Sequence, residues 1–539
     1  MLSRLTQFHH HLTRPSAIAR TLSSMSTKTA TTTSTALPPT IHQGILNIPG
    51  ATPESKATVE RLLEEDRQFH HCFWGKVGFH NHLSHHLLAA YDLGAPASLL
   101  QAIYDQEKRG LADIHTVDRV NKVVEEQHVD ITDHDWTKYL GQDRYYANYL
   151  QFFTDKVSKL GSGFTIEQFV FSPAANGNGS NMLLRFVGGA VHPMIQTGYG
   201  VEFGSDAMVA QALAQAAVHS AFAPEVFDLH QSHSGPTENG HSVTQDATRR
   251  QPSKGRSLLS IIREVYDSDI LCPVLPYDPD ALLSKRTKDV LSDSRRPEEI
   301  KRISSLWVID TSRGQQELDE KVEELLWLNT LLLAATGKPG RKPRLDFFLM
   351  HCLNVSLFVP SLLNAIPTME SKAMLLRATL PVIIMYVLVR GRPRIDIDLI
   401  MSYNDVPHLI TSSGSPPKPD SSAIGNPRQS EYTNPWPEII ADVLHAPDPH
   451  TLKAIRTLYY GAQKYGTVPP GGAIGAFQLD SDHGKLEETL KGTSKLDGTL
   501  FVRAAGVVMD TLGWVSNGQK EGAWDRSALG WDDAWKNGD

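Results

Sequence analysis

The sequence predicts a mostly α-helical protein, built as one large, bundle-like domain. Apolar residues recur at helical spacing along most of the 539 residues, whereas alternating strand patterns are scarce, and we find no internal repeat. The hydrophobic fraction of 40% is sufficient for a large core. We therefore expect one folded domain over residues 41–539, with polar insertions near residues 230–256 and 412–436.

Residues 1–40 differ from that domain in composition. Residues 1–53 contain no Asp or Glu, are rich in Ser and Thr, and carry four basic residues, Arg4, Arg14, Arg20 and Lys28. This composition is typical of a mitochondrial transit peptide. A disordered leader, or an upstream extension with Met25 as the true start, would look the same. We expect a cytoplasmic protein, and the leader favours mitochondrial import as the alternative.

Charge, cysteine content and hydropathy exclude several classes of protein. The net charge of −8 provides no basic surplus for a nucleic-acid partner. The three cysteines, Cys72, Cys272 and Cys352, are far apart, as in a protein of a reducing compartment. The longest strongly apolar run, residues 378–389, is shorter than the roughly 20 residues that span a bilayer. It predicts a buried helix, and we expect no membrane span.

The periodic segments between the motifs predict a series of helices. In the N-terminal half, residues 55–69, 97–108 and 117–126 are expected to be helical, and residues 136–159 form an aromatic stripe of helical period. The later helices are expected at residues 206–222, 257–266, 315–335, 369–390 and 497–514. Four tryptophans near the C-terminus predict a packed cap: Trp514, Trp524, Trp531 and Trp535.

The stretch from Phe79 to Tyr91 carries four histidines in seven residues, at positions 80, 82, 85 and 86. The Leu-Leu-Ala-Ala run that follows predicts a helix, which Gly94 ends. On a helix, His82 and His86 are one turn apart on one face and can bind one metal ion, whereas the other two point elsewhere. The alternative is a histidine-rich helix whose rings satisfy ordinary hydrogen bonds.

Three more stretches place histidines on separate helices. His192 precedes a proline that favours a helix start, and Gln196 and Tyr199 would share its side. The glycines around it lack the order of a dinucleotide fingerprint. His351 lies in an otherwise apolar helix, where a hydrogen-bonded core histidine is the simpler interpretation.

In the fourth stretch, Asp448 is a good helix cap and Pro449 suits the first helical position. His450 and Lys453 are three residues apart and share a face of that helix. Inward side chains of facing helices are the usual way to build a metal site in a bundle. Imidazole suits iron, zinc, copper or nickel, and spacing alone does not choose among them.

Several motifs together resemble a known family: His80-Asn81-His82-x-x-His85-His86-Leu87-Leu88, Gly189-x-x-His192-Pro193 with Gly198-Tyr199-Gly200, Asp448-x-His450-x-x-Lys453-x-x-Arg456, and Gly513-Trp514 with Trp524-Asp525 and Leu529-Gly530-Trp531. Over about residues 60–535 the chain resembles the questin oxidase family, fungal enzymes of aromatic polyketide biosynthesis. The resemblance implies an oxidoreductase that uses O₂ to cleave a ring C–C bond of an anthraquinone- or hydroquinone-like substrate. One branch implies non-haem Fe(II) held by four histidines and a carboxylated lysine.

Carried onto this chain, the resemblance implies metal ligands drawn from His82, His86, His192, His351 and His450. Lys453 is the preferred carboxylated lysine and Lys372 the alternative. Tyr199 and Gln196 are expected at the catalytic pocket, with Trp74 as a further pocket residue. The rival interpretations are an NADPH-dependent Baeyer–Villiger-type monooxygenase without metal, and a non-catalytic partner in a biosynthetic complex.

Overall fold

Twenty α-helices and seven short strands make up the described part of the chain. A computed structural model of the protein describes residue 37 and residues 40–536, except for residues 75–78, 119, 126–128, 229–248, 409–418, 427–428 and 480–484. The predicted leader thus lies almost entirely outside the described residues. So do most of the insertion predicted at 230–256 and part of that at 412–436. From residue 37 onward the chain forms one compact unit.

The first nine helices include the two that carry the early histidine motifs. They are α1 (Pro53–Phe69), α2 (Leu83–Asp92), α3 (Ala97–Glu107), α4 (Tyr146–Leu160), α5 (Ser162–Ile166), α6 (Pro173–Asn176), α7 (Met182–Phe186), α8 (His192–Glu202) and α9 (Asp206–Val218). The helices predicted at residues 55–69, 97–108 and 206–222 correspond to α1, α3 and α9. The mostly α fold predicted from the sequence is therefore confirmed.

The other eleven helices include the two that carry the later histidines. They are α10 (Leu258–Asp267), α11 (Leu283–Leu291), α12 (Arg295–Ser305), α13 (Gln315–Ala334), α14 (Phe347–Ser356), α15 (Val359–Ala365), α16 (Met369–Val389), α17 (Ile397–Ser402), α18 (Trp436–Val443), α19 (Pro449–Tyr465) and α20 (Leu500–Leu512). At α19 the structure matches the predicted start: the Asp448 side chain accepts from the backbone N–H of His450, and Pro449 is the first helical residue.

The strands are short and antiparallel, and one sheet leads directly into the histidine helix. In that sheet, β1 (His70–Trp74) lies between β2 (Phe79–His80) and β3 (Leu111–Asp113). Two hairpin-like pairs complete the set: β4 (Thr116–Asp118) with β5 (Val123–Val124), and β6 (Phe477–Leu479) with β7 (Leu486–Glu488). Because only two residues separate β2 from α2, the sheet fixes where the histidine-rich segment enters the core.

Two of the predicted helices are wrong or only partly correct. The described part of residues 117–126 belongs to the β4–β5 pair and its turn, because Asp118 accepts from two backbone N–H groups of a tight turn and Lys122 has a φ of +55°. Residues 136–159 are interrupted: a 3₁₀ turn comes first, Gly141 has a φ of +78°, and α4 starts at Tyr146. The aromatic stripe of α4 is buried, as predicted.

Four helices, α2, α8, α14 and α19, pack against one another at the centre of the fold. All ten residues of α2 are buried, and in α14 every residue except Phe348 is buried. Helices with no polar face belong to the interior of a large domain. Each of these four helices carries one of the predicted histidine motifs, so the packing of the core brings the motifs together.

Helix α16 is long and apolar enough to cross a membrane, and 83% of its most apolar window is buried inside the protein. It is longer than the apolar run noted in the sequence, because Lys372 and Arg377 belong to its first turns. Helices α14 and α15, which are bent by 43° relative to each other, are together also long and apolar enough to cross a membrane. Burial of this kind is what the core helix of a large domain shows.

Candidate metal centre

Four histidines from separate elements converge at the centre of the bundle: His82, His192, His351 and His450. One ring nitrogen of each lies within 4.8 Å of the corresponding nitrogens of the others. The Nε2 atoms of His82 and His192 are only 2.8 Å apart. This distance fits either one N–H···N hydrogen bond between neutral imidazoles or two Nε2 lone pairs that converge on a shared cation.

The second ring nitrogen of each histidine is held by an oxygen acceptor. Nδ1 lies 2.6–2.8 Å from its partner in all four: the His80 carbonyl for His82, the Gly189 carbonyl for His192, the Phe347 carbonyl for His351 and the Asp448 carboxylate for His450. An Nδ1–H that donates to such an oxygen leaves the Nε2 lone pair free to bind a metal. The Nε2 atoms of His351 and His450 are buried without a hydrogen-bond partner among the described residues. The arrangement fits a cation bound by four Nε2 atoms.

Local backbone structure places two of these rings. Before α8, residues 189–191 all have positive φ, from +53° to +57°, which is unusual for Ala190 and Val191. This left-handed turn points the Gly189 carbonyl at the His192 ring, and strained backbone of this kind clusters at functional sites. A Cβ on Gly189 would lie 2.2 Å from the His219 ring, so the turn accepts no larger residue.

Burial keeps the four histidines uncharged. Desolvation lowers the pKa of His82, His192 and His351 well below the ordinary value, and the nearby histidines and Lys453, which would repel a further positive charge, lower it further. For His450, desolvation and Lys453 outweigh the opposing effect of Asp448 and lower the pKa to about 4. At neutral pH all four are therefore ready to bind a metal, since protonated imidazole cannot.

Lys453 lies one turn after His450 on α19 and is buried beside the cluster. Its side-chain nitrogen has no hydrogen-bond partner among the described residues. Desolvation lowers the pKa of this amine to about 7, although Asp448 and Glu107 act in the opposite direction. The alternative lysine, Lys372, is half-buried in the first turn of α16.

The histidine-rich segment is arranged differently from the predicted two-ligand helix. His82 precedes the first turn of α2 and joins the cluster, whereas His86 points to Glu107, with Nδ1 3.0 Å from Oε1. His80, expected to point elsewhere, stacks on His192 with ring centroids 3.8 Å apart, and its Nε2 is 2.7 Å from that of His219. His85, also expected to point elsewhere, is fully buried and stacks on Tyr199.

The two residues predicted for the catalytic pocket lie on α8 and are buried. Gln196 accepts a hydrogen bond from Ser84 of α2, and the Tyr199 hydroxyl has no hydrogen-bond partner among the described residues. Burial raises the pKa of Tyr199 far above its ordinary value. The side chain of Trp74 lies outside the described part of the structure.

A buried charge network connects the helices of the cluster. Apart from the helical spacing of Arg456, no sequence motif predicted it. The Arg456 guanidinium on α19 is fully buried and contacts Asp92 at the end of α2 and Glu202 at the end of α8. Both carboxylates also accept backbone N–H groups from the segment before α1: Ile45 donates to Glu202, and Asn47 donates to Asp92 at 2.8 Å. Three of the helices that carry the clustered histidines and the N-terminal segment thus share one network.

The fold and the cluster define an α-helical protein with a polyhistidine centre. The sequence profile of the family described as Questin oxidase-like matches residues 79–458, a span that encloses all four histidines and Lys453. The chain therefore belongs to the questin oxidase-like family and is an oxidoreductase.

Relatives named as questin oxidases or Baeyer-Villiger oxidases match much of the chain. Baeyer-Villiger oxidase AgnL3 of Paecilomyces divaricatus is 26% identical over 428 residues, 78% of this chain and 81% of the relative. Baeyer-Villiger oxidase mdpL of Emericella nidulans is 26% identical over 79% of this chain and 86% of its own length. Questin oxidase of Aspergillus fumigatus is 27% identical over 55% of this chain and 62% of its own length.

Proposed function

We propose that this chain is a non-haem iron oxygenase that oxidatively cleaves a ring C–C bond of an anthraquinone- or hydroquinone-like substrate. The observation that carries the proposal is the four-histidine cluster, in which every Nδ1 has an oxygen partner and the Nε2 atoms face one another. The names of the relatives support oxidation of an aromatic polyketide, because questin oxidases and Baeyer-Villiger oxidases are among them.

Iron is favoured over zinc by the class of reaction. Imidazole binds both metals, but zinc has no redox chemistry, and the family consists of oxidoreductases. When bound, Fe(II) would supply the activation of O₂. His82, His192, His351 and His450 would hold it, and their oxygen partners would keep the rings in place.

Lys453 would complete the ligand set as a carbamate. A protonated amine cannot bind a cation, but a neutral one attacks CO₂, loses a proton and becomes an anionic oxygen donor. The proposal is supported by the burial of Lys453, its unpartnered nitrogen and a pKa of about 7, which leaves much of the amine neutral near physiological pH.

The surrounding residues would bind the substrate and exclude water. The Phe347 ring lies against His351 and His450, with centroids 4.8 and 4.9 Å apart, and offers an aromatic face next to the cluster. Tyr199, whose raised pKa keeps the hydroxyl protonated, would donate a hydrogen bond rather than act as a base. Gln196, fixed by Ser84, would orient a polar group.

The competing function is an NADPH-dependent Baeyer–Villiger insertion without metal. The names of several relatives favour the Baeyer–Villiger oxidation itself. The test is to follow O₂ uptake with a panel of anthraquinones and hydroquinones, with and without NADPH, and to identify products by mass spectrometry. The iron proposal predicts that NADPH is dispensable and that chelation of the metal abolishes turnover. Turnover that needs NADPH and survives chelation would contradict it.

A further inference from the structure

One exposed cation lies at the edge of the histidine cluster and comes from outside the segment that matches the family profile. The Arg526 guanidinium lies over the Phe347 ring, 4.1 Å from its centroid, and 5.9 Å from the centroid of Phe79. Phe347 contacts His351 and His450. Arg526 is close enough to His450 to lower the pKa of that ring.

The neighbours of Arg526 hold it at this place. The backbone N–H of Phe347 donates to the Asp525 carbonyl at 2.9 Å, and that of Asp525 donates to the Leu345 carbonyl at 2.8 Å. The Asp525 side chain is paired with Arg344 at 2.5 Å. The tail is therefore bonded directly to the start of α14, which fixes Arg526 over the first residue of that helix.

The Arg526 guanidinium contacts the Phe347 ring but has no ion-pair partner among the described residues. The two nearby carboxylates have other partners: Asp525 is paired with Arg344, and Asp448 is bound to His450. Phe79 is 41% exposed, so the two rings and the guanidinium form a rim that solvent reaches. A guanidinium recognises oxyanions through two parallel hydrogen bonds, and phenylalanine rings favour a planar aromatic neighbour.

We propose that Arg526 is a specificity-determining residue that receives an anionic oxygen, a carboxylate or a phenolate, on a planar aromatic substrate docked beside Phe79 and Phe347. This inference rests on the proposed function for the identity of the site and adds the charge of its substrate. It assigns to the C-terminal tail a part in substrate choice, since Arg526 lies beyond residues 79–458.

The test measures binding rather than turnover, by calorimetry on the full chain without O₂. The probes are two matched pairs: a dihydroxyanthraquinone carboxylic acid with its methyl ester, and a dihydroxyanthraquinone with its di-O-methyl ether. In Arg526→Gln we expect the anionic member of one pair to bind about tenfold more weakly, and its neutral partner to bind as before. Selective loss for the acid identifies a carboxylate, and selective loss for the free phenol identifies a phenolate.

Arg526→Lys should keep part of the preference, since an ammonium attracts an anion without the two-point contact. Arg295→Gln removes the same charge at an exposed position of α12 and should change nothing. The proposal is overturned if Arg526→Gln weakens both members of each pair equally, or neither. Because no metal chemistry enters the measurement, a protein without iron would still show the preference, and the two proposals fail separately.

Discussion

Four Nδ1 contacts decide which nitrogen of each ligand histidine faces the centre. Because three of the acceptors are backbone carbonyls and one is Asp448, the choice is built into the fold and needs no metal to impose it. His86 is oriented differently: its Nδ1 faces the Glu107 carboxylate of α3, away from the four clustered histidines. The residues proposed to bind metal and those proposed to support them are thus distinguishable by substitution.

We expect His192→Ala and His450→Ala to lose most bound iron, since each removes one of four nitrogen donors. His86→Ala should keep it, because His86 lies outside the group. Metal content by elemental analysis after anaerobic reconstitution checks this, with His445→Ala, an exposed histidine five residues before His450, as the matched control. Iron retained in His450→Ala, or lost in His86→Ala to the same degree, would refute the assignment.

A carbamate at Lys453 would make iron binding depend on pH, with lower iron occupancy at lower pH. The pKa of the amine is lowered from 10.5 to about 7, so the neutral form that reacts with CO₂ predominates above this pH and disappears below it. Iron occupancy and the carbamate signal from ¹³C-labelled bicarbonate should therefore both fall as the pH decreases from about 8 to about 6.

Substitution of Lys453 tests the same point without pH. Lys453→Ala should lose activity and regain part of it with a short carboxylic acid that replaces the missing oxygen donor. Lys464→Ala, an exposed lysine on the same helix, serves as control. A Lys453→Ala protein with full iron and activity would rule out the carbamate.

The Arg456 network joins helices α2, α8 and α19 through buried ion pairs. Arg456, Asp92 and Glu202 are buried, and removal of one partner from such a network leaves uncompensated charge in the core. Arg456→Met should therefore lower the free energy of unfolding by about 3–5 kcal/mol, measured by urea denaturation. Arg61→Met, which breaks an exposed pair with Glu65 on α1, should cost less than about 1 kcal/mol. Equal effects of the two substitutions would show that the network is dispensable.

Helices were predictable where local signals agreed, and the site was predictable only in part. Asp448 and Pro449 mark the start of α19 by short-range chemistry, and the structure begins the helix there. The β4–β5 pair was missed because its turn depends on Asp118 accepting from backbone N–H groups, which outweighs apolar spacing.

The sequence motifs did not predict the contacts between residues that are far apart in the chain. His82 was expected to share a helix face with His86, but it lies before the first turn of α2, where its ring faces His192 instead. The stacking of His80 on His192 and the position of Arg526 over Phe347 depend on segments more than 100 residues apart in sequence. Four histidines within one short stretch did indicate the region, although not which of them turn inward.

The segments that precede and follow residues 79–458, the part that matches the family profile, pack around the core. Residues 45–47 donate to Asp92 and Glu202 from the N-terminal side, and the C-terminal tryptophans are buried as the predicted cap. A protein that begins at residue 37, the first described residue, serves as the reference. A deletion of residues 1–48 should lower the free energy of unfolding by about 2 kcal/mol or more, because two buried carboxylates lose N–H donors.

Calorimetry of the two truncated proteins compares them directly. The same reasoning predicts that any processed N-terminus of the native protein lies before residue 41, where N-terminal sequencing would find it. Equal stability of the two truncations, or a native N-terminus beyond residue 48, would show that the segment is not part of the fold.

The four-histidine cluster is proposed to bind the iron that the reaction requires, and the stoichiometry of bound metal is the decisive measurement. The purified chain, reconstituted with Fe(II) without O₂, should hold about one iron per chain, and the His192→Ala and His450→Ala proteins far less. Its O₂ uptake with an active aromatic substrate should rise in proportion to the iron bound. Full O₂ uptake by a chain that holds well below one iron would show that the reaction does not require iron at this cluster.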